Sequence, residues 1–193
     1  MTKNRIKEVA LTHFAKDGYE GSSLSAIATE VGIKKQSIYT HFKGKDELFL
    51  EVLSDVFVNE LKFVTNYIDS HANYSVEKFL FNFLLQYSKR YEDNDNTKFW
   101  LRMSFFPPFH LYGQVMKYVY ETLDKMEALF VPIMEKAIFE AKVNPSIGAE
   151  RATAAFMGIL DGVFVEMLYG GPQRLVKRID ASWYLYWQGL SKE

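Results

Sequence analysis

Residues 24–42, LSAIATEVGIKKQSIYTHF, carry the spacing that most constrains this chain. They read as two short helices forced to cross at a tight turn. Ile27, Val31, Ile33 and Ile38 are the apolar positions that wedge such helices together. Ala28 is small where the helices cross, and Gly32 stands where the backbone must turn sharply. Lys34, Lys35, Lys43 and Lys45 surround the motif, with no acid between residues 31 and 45. In a helix-turn-helix the second helix lies in the major groove and its N-terminal side chains meet base edges. Here those side chains are Lys35, Gln36 and Ser37, with Thr40 one turn on. A glutamine matches adenine, a lysine matches guanine, and a serine hydroxyl suits several bases. Tyr39 and His41 carry polar tips suited to phosphate oxygens, and Lys34 adds charge beside them. Ser22 and Ser23 stand at the cap of the first motif helix, and Lys45 at the start of a later one; all three join the DNA-facing set.

The charge distribution agrees with this reading. The net charge of −1 hides an asymmetry: residues 1–48 hold eight basic and six acidic side chains, while the remaining 145 hold fifteen and eighteen. The basic excess therefore falls on the motif. With 48% hydrophobic and 16% aromatic residues the chain has ample material for a core and is too apolar for disorder. The absence of cysteine excludes disulfides, thiolate metal sites and thiol redox sensing. The most apolar stretch, 154–169, is broken by Asp161 and Glu166, which argues against a membrane span, and the N-terminus lacks the apolar run of a signal peptide. A cytoplasmic protein is expected.

Helical period runs through almost every segment and sustained strand-type alternation is absent, so the expected class is all-α with about nine helices. Helices are predicted over about 4–16, 24–31, 35–42, 45–70, 75–92, 97–106, 111–142, 147–169 and 173–190. The breaks are the GYEG turn at 18–21, Lys43-Gly44, the EDNDN stretch at 92–96, Pro107-Pro108, Asn144-Pro145-Ser146 and Gly170-Gly171-Pro172, with Pro132 a kink inside the seventh helix. The predicted organisation is a three-helix DNA-binding module at 1–46 and a larger helical bundle at 47–193.

The stretch GYEGSSLSAIATEVGIKKQSIYTHFKGKDELF resembles the N-terminal signature of TetR-type (tetracycline-repressor-like) transcriptional regulators. Gly18, Tyr19, Ser22, Ile27, Ala28, Gly32, Ile33, Ile38, Tyr39, His41, Phe42, Lys45, Asp46 and Leu48 fall on that pattern, which covers about the first quarter of the chain. Lys34-Lys35-Gln36 departs from it where relatives often carry Ser or Asn and then a small residue, which bears on the operator sequence. The resemblance implies a homodimer on a double-stranded, palindromic operator, with recognition helices roughly 34–36 Å or a small multiple apart. It implies that the last two helices pair with their twins. In this chain Phe156, Ile159, Val163, Met167, Leu175, Ile179, Trp183 and Trp187 are the apolar candidates for that interface. It also implies an effector pocket among the middle helices. The candidates are Phe83, Tyr87, Trp100, Met103, Phe106, Tyr112, Met116, Tyr120 and Phe164, with Arg102 as a polar anchor, a set suited to a small, largely apolar effector that has not been identified. Release of a repressor by that effector is the expected mechanism; an activator of the same fold is the alternative.

Two rival classes remain open at this level. A helical enzyme lacks support from the usual spacings: His13, His41, His71 and His110 form no HxxxH or ExxH pair, and GxSxG, P-loop and GxGxxG motifs are absent. No metal or cofactor is expected. A dimeric adaptor without DNA binding would leave the basic stretch at 31–45 unexplained.

Overall fold

The computed structural model describes residues 3–191, and among them it contains nine α-helices, one 3-10 turn and no strand. The helices are α1 (Lys3–Gly21), α2 (Leu24–Val31), α3 (Lys35–Ile38), α4 (Lys45–Ser70), α5 (Val76–Asp93), α6 (Asp95–Phe105), α7 (Tyr112–Phe139), α8 (Ala149–Tyr169) and α9 (Pro172–Leu190), with the 3-10 turn at Phe109–Leu111 between α6 and α7. Local chemistry sets most boundaries. Ser23 caps α2 by accepting the Ala26 N–H at 3.1 Å, and Asn94 caps α6 by accepting that of Thr97 at 3.2 Å. Gly32 ends α2 at φ 80, a left-handed conformation that strains any residue with a Cβ. Gly18 (φ 74, ψ −178) breaks α1 three residues before its nominal end, as the GYEG turn implied.

The third helix differs from expectation. It spans four residues rather than 35–42, and the chain continues as tight turns, with His41 N–H donating to the Ile38 carbonyl at 2.9 Å and Phe42 N–H to the same oxygen at 3.0 Å. Ile38 and Phe42, four residues apart as on one helix face, are both buried before Gly44.

The chain divides into two compact units, Met1–Lys62 with Asp93–Thr122, and Phe63–Glu92 with Leu123–Glu193. In the first, α6 packs along α1 around Phe14, Phe49 and Phe99, whose ring centroids lie 5.2–6.2 Å apart. The expected boundary at residue 46 falls inside the first unit, in which α6 packs on α1. In the second unit Phe83 is the hub, with Phe63, Tyr67, Tyr87, Phe130 and Phe156 at 4.9–6.2 Å. A carboxylate clamp joins α8 to α9: Arg174 meets both oxygens of Glu166 (2.9 and 3.1 Å) and Arg178 meets Oε1 at 3.0 Å. Among the described helices α8 is long and apolar enough to cross a membrane, with a mean hydropathy of 1.4. Half of that stretch is buried inside the fold, as in a core helix, and its Glu166 is tied to arginines.

Candidate nucleic-acid interface

The motif packs as its spacing requires. Ile27, Ala28, Val31 and Ile38 are buried and Ile33 is half-buried, which fixes α2 against α3 and turns the intervening polar residues outward. Lys34, Lys35, Gln36, Tyr39, Thr40, His41 and Lys43 are exposed, and Ser37 is half-buried. Lys34, Lys35 and Lys43 make no ion pair among the described residues. Lys3 and Lys7, by contrast, are bound to Glu51 and Asp55, each at 2.6 Å. The free positive charge of this region is thus concentrated on and beside α3. Thr40 Oγ1 donates to the Ser37 carbonyl at 2.7 Å, which holds its side chain against the turn.

The two serines before α2 part company. Ser23 is exposed, and its cap leaves the hydroxyl hydrogen available to a phosphate. Ser22 is buried and donates to the Gly18 carbonyl at 2.7 Å, closing the turn after α1. Its expected DNA-facing role is corrected, because a hydroxyl covered by protein and bonded to the backbone cannot reach a phosphate.

Lys45 heads α4 with its ammonium 4.0 Å above the Tyr19 ring. Burial lowers its pKa, with Glu20 and Asp46 opposing. Beside it the Tyr19 hydroxyl donates to Asp46 Oδ1, and His110 Nε2 lies 3.4 Å from the same oxygen. The Tyr19 bond is the main influence holding the Asp46 carboxyl below its usual range, while burial and Asp46 push the Tyr19 phenol up. Glu47 accepts the Lys43 N–H, so part of the anion-attracting start of α4 is already satisfied by the chain's own carboxylate. Sequence reasoning assigned His110 no role, because its partners lie 64 and 91 residues away and no local pattern links them.

The other predicted sites are rearranged. Arg102 is not a pocket anchor: its NH1 donates to the Lys16 carbonyl at 3.2 Å, and its guanidinium fills the space where a side chain at Gly18 would stand, 2.8 Å from that Cβ position. Phe83, Tyr87, Trp100, Met103 and Phe164 are buried, closely packed core; Phe57 meets Trp100 at 4.7 Å and Tyr87 meets Phe164 at 4.9 Å. Among the described residues, Trp100 has a buried polar atom with no hydrogen-bond partner, its indole N–H. Phe106, Tyr112 and Tyr120 are instead exposed, and Met116 is half-buried. On α8 and α9, Phe156, Val163, Met167 and Ile179 are buried within their own chain, so their expected place in a twin interface is corrected. Ile159, Leu175, Trp183 and Trp187 are half-buried; Trp183 stacks on Trp187 at 5.7 Å and leans on Phe81 at 5.3 Å. The apolar side chains that do face outward are Val165, Tyr169, Val176, Tyr184 and Leu185, between 41% and 71% exposed.

Residues 6–52 match the family of bacterial regulatory proteins, tetR family. The chain is 32% identical over 90 residues to the HTH-type negative transcriptional regulator IcaR of the biofilm operon icaADBC of Staphylococcus epidermidis, an alignment covering 46% of this chain and 49% of that one. The chain thus spans about half the length of the curated relatives it matches. Over the whole chain the fold is that of a TetR-family transcriptional regulator from Mesorhizobium loti (TM-score 0.74, 20% identity, all of both chains). It is also that of the regulator FadR of Bacillus subtilis, solved with stearoyl-CoA (TM-score 0.71, 16% identity, 97% of this chain and 99% of that one). Residues 6–52 thus carry the sequence of a tetR-family helix-turn-helix, and the fold of the entire length is that of solved regulators of that family.

Proposed function

We propose that this protein is a homodimeric repressor that holds a palindromic operator and releases it when a small, largely apolar effector binds. One observation carries the reading: the buried residues of α2 and α3 leave Lys34, Lys35, Gln36, Tyr39, Thr40 and Lys43 outward, and none of these three lysines is paired with an acid among the described residues. Such a surface attracts phosphate backbones and offers amide and ammonium donors to base edges. The negative regulator IcaR, similar over this same region, favours repression over activation. Dimerisation is supported by the outward apolar row of Val165 and Tyr169 on α8 with Val176, Tyr184 and Leu185 on α9. Gly158 and Gly162 of α8 lie open and allow close helix approach. An effector is supported by the like-folded regulator FadR, which was solved with stearoyl-CoA. On this reading the protein works in the cytoplasm and catalyses nothing; the buried carboxylate of Glu166 is committed to two arginines.

The test is a gel-shift titration on the DNA flanking the protein's own gene, repeated at rising salt. A retarded complex whose affinity falls linearly with log salt is expected, with a slope near −0.9 for each phosphate contacted. No complex at low salt would overturn the reading.

A further inference from the structure

The second unit contains an open cavity of about 460 Å3 that none of the sequence-picked pocket residues lines. It lies among the C-terminal end of α4, the turn into α5, the second half of α7 and one residue of α9. Phe79 and Ala137, both buried, form its floor, and Ile68, Ile133 and Trp187 are half-buried walls. A void of this size is foreign to a close-packed interior and falls in the range of small-molecule sites.

The polar groups around it limit what it takes. Glu77, Lys136, Glu140 and Lys142 line it, two charges of each sign, and Lys136 lies 3.8 Å from Glu140. An ion entering an apolar cavity loses hydration and needs a matching charge that is not already compensated. This rim has no net charge to give. His71 at the mouth is oriented by its neighbours: Nδ1 lies 2.9 Å from the Tyr67 carbonyl, which can only accept, so Nδ1 carries the proton. Nε2 faces the Gln86 amide nitrogen at 3.4 Å, and the ring is stacked on Tyr67 at 4.1 Å and edged by Tyr74 at 4.9 Å. Ser75, whose Oγ accepts the Lys78 N–H at 3.3 Å, keeps its hydroxyl hydrogen for a ligand oxygen. The mouth therefore offers hydrogen bonding without charge selection, over an aromatic and aliphatic floor.

We propose that this cavity binds a small, mainly apolar molecule of no net charge carrying a hydroxyl or carbonyl group. Its role as the effector site rests on the repressor reading above; its binding does not.

Two dyes sharing one aromatic frame test it. N-phenyl-1-naphthylamine is neutral, and 1-anilinonaphthalene-8-sulfonate carries an added anionic group. The neutral dye is expected to bind the full chain saturably, one per chain, at least tenfold tighter than the sulfonate. Ile133→Trp and Val76→Trp, each filling a cavity wall, are expected to weaken it at least tenfold, with helicity and thermal melting as controls for folding. In wild-type protein, magnetisation transfer from the bound dye to the Ile68 and Ile133 methyls locates the site without any variant. No saturable binding, equal or tighter binding of the sulfonate, or absence of that transfer overturns the proposal. Gel shifts on the same samples separate the two readings: both variants keep DNA affinity if the head is untouched. A wild-type protein that takes the dye but no DNA refutes the repressor and leaves the site.

Discussion

Neighbouring side chains of identical chemistry have different duties in this head, and single substitutions separate them. Ser22 is buried on the Gly18 carbonyl, whereas Ser23 is exposed at the α2 cap. Ser22→Ala is expected to lower unfolding stability by about 1 kcal/mol, the net worth of one internal hydrogen bond, without changing the salt slope of DNA binding. Lys43→Ala is expected to do the opposite: unchanged denaturant midpoint, weaker binding to every sequence, and a slope reduced by about one. Gln36→Ala distinguishes base reading from charge. It should cost about 1–3 kcal/mol on the preferred site and relax the choice at one base pair, as read by a binding-site selection experiment. An unchanged preference would remove Gln36 from the reading face.

At the scale of elements, the α8–α9 clamp makes the sharpest claims. Arg174 and Arg178 hold the Glu166 carboxyl below its usual range through hydrogen bonds, with burial opposing. The unfolded carboxyl titrates at its ordinary value. The stabilisation is therefore complete above that value and is lost as pH falls through the lowered folded one. Thermal melts from neutral to acid pH should show this loss in the wild type, and Glu166→Gln should be less stable at neutral pH with a flatter acid limb. Gly170→Ala attacks the same clamp from the backbone, since a Cβ there would collide with Glu166 Oε2. It is expected to lower the melting temperature in wild-type protein and to add little in Glu166→Ala, where the obstructing carboxylate is gone. Full additivity of the two would show that the clash is not with the clamp. The helices themselves were legible because caps and breakers are local: α2 and α4 fall on the predicted residues and α5, α6 and α9 within two at either end. The third helix ends four residues before the predicted end, although Ile38 and Phe42 are buried together as helical periodicity requires.

For the whole molecule, the outward row on α8 and α9 is where the repressor reading meets quaternary structure. Leu185→Glu places a charge at a position 71% exposed in the single chain. Folding should survive, sedimentation should report a monomer, and operator affinity should fall by orders of magnitude, since two half-sites would no longer be held by one particle. A Leu185→Glu protein that sediments as a dimer would place the interface elsewhere. Val163→Glu gives the contrast: its side chain is buried in its own core, so it should unfold the chain rather than merely separate protomers.

The sequence by itself determined the all-helical class, most of the helix boundaries, the helix-turn-helix packing and the polar face it leaves outward. All of these depend on residues within a turn or two of one another, where spacing is geometry. Only the tertiary structure decided which apolar faces remain free. A helix rich in apolar residues reads the same whether it is covered by its own chain or left for another. Thus Phe156 and Val163 went inward while Tyr184 and Leu185 stayed out, and Phe83 and Tyr87 became packed core while the cavity opened beside Phe79 and Ile133. Arg102 and His110 were decided there too, because the partners that hold them, Lys16 and Asp46, are far away in sequence and adjacent only after folding.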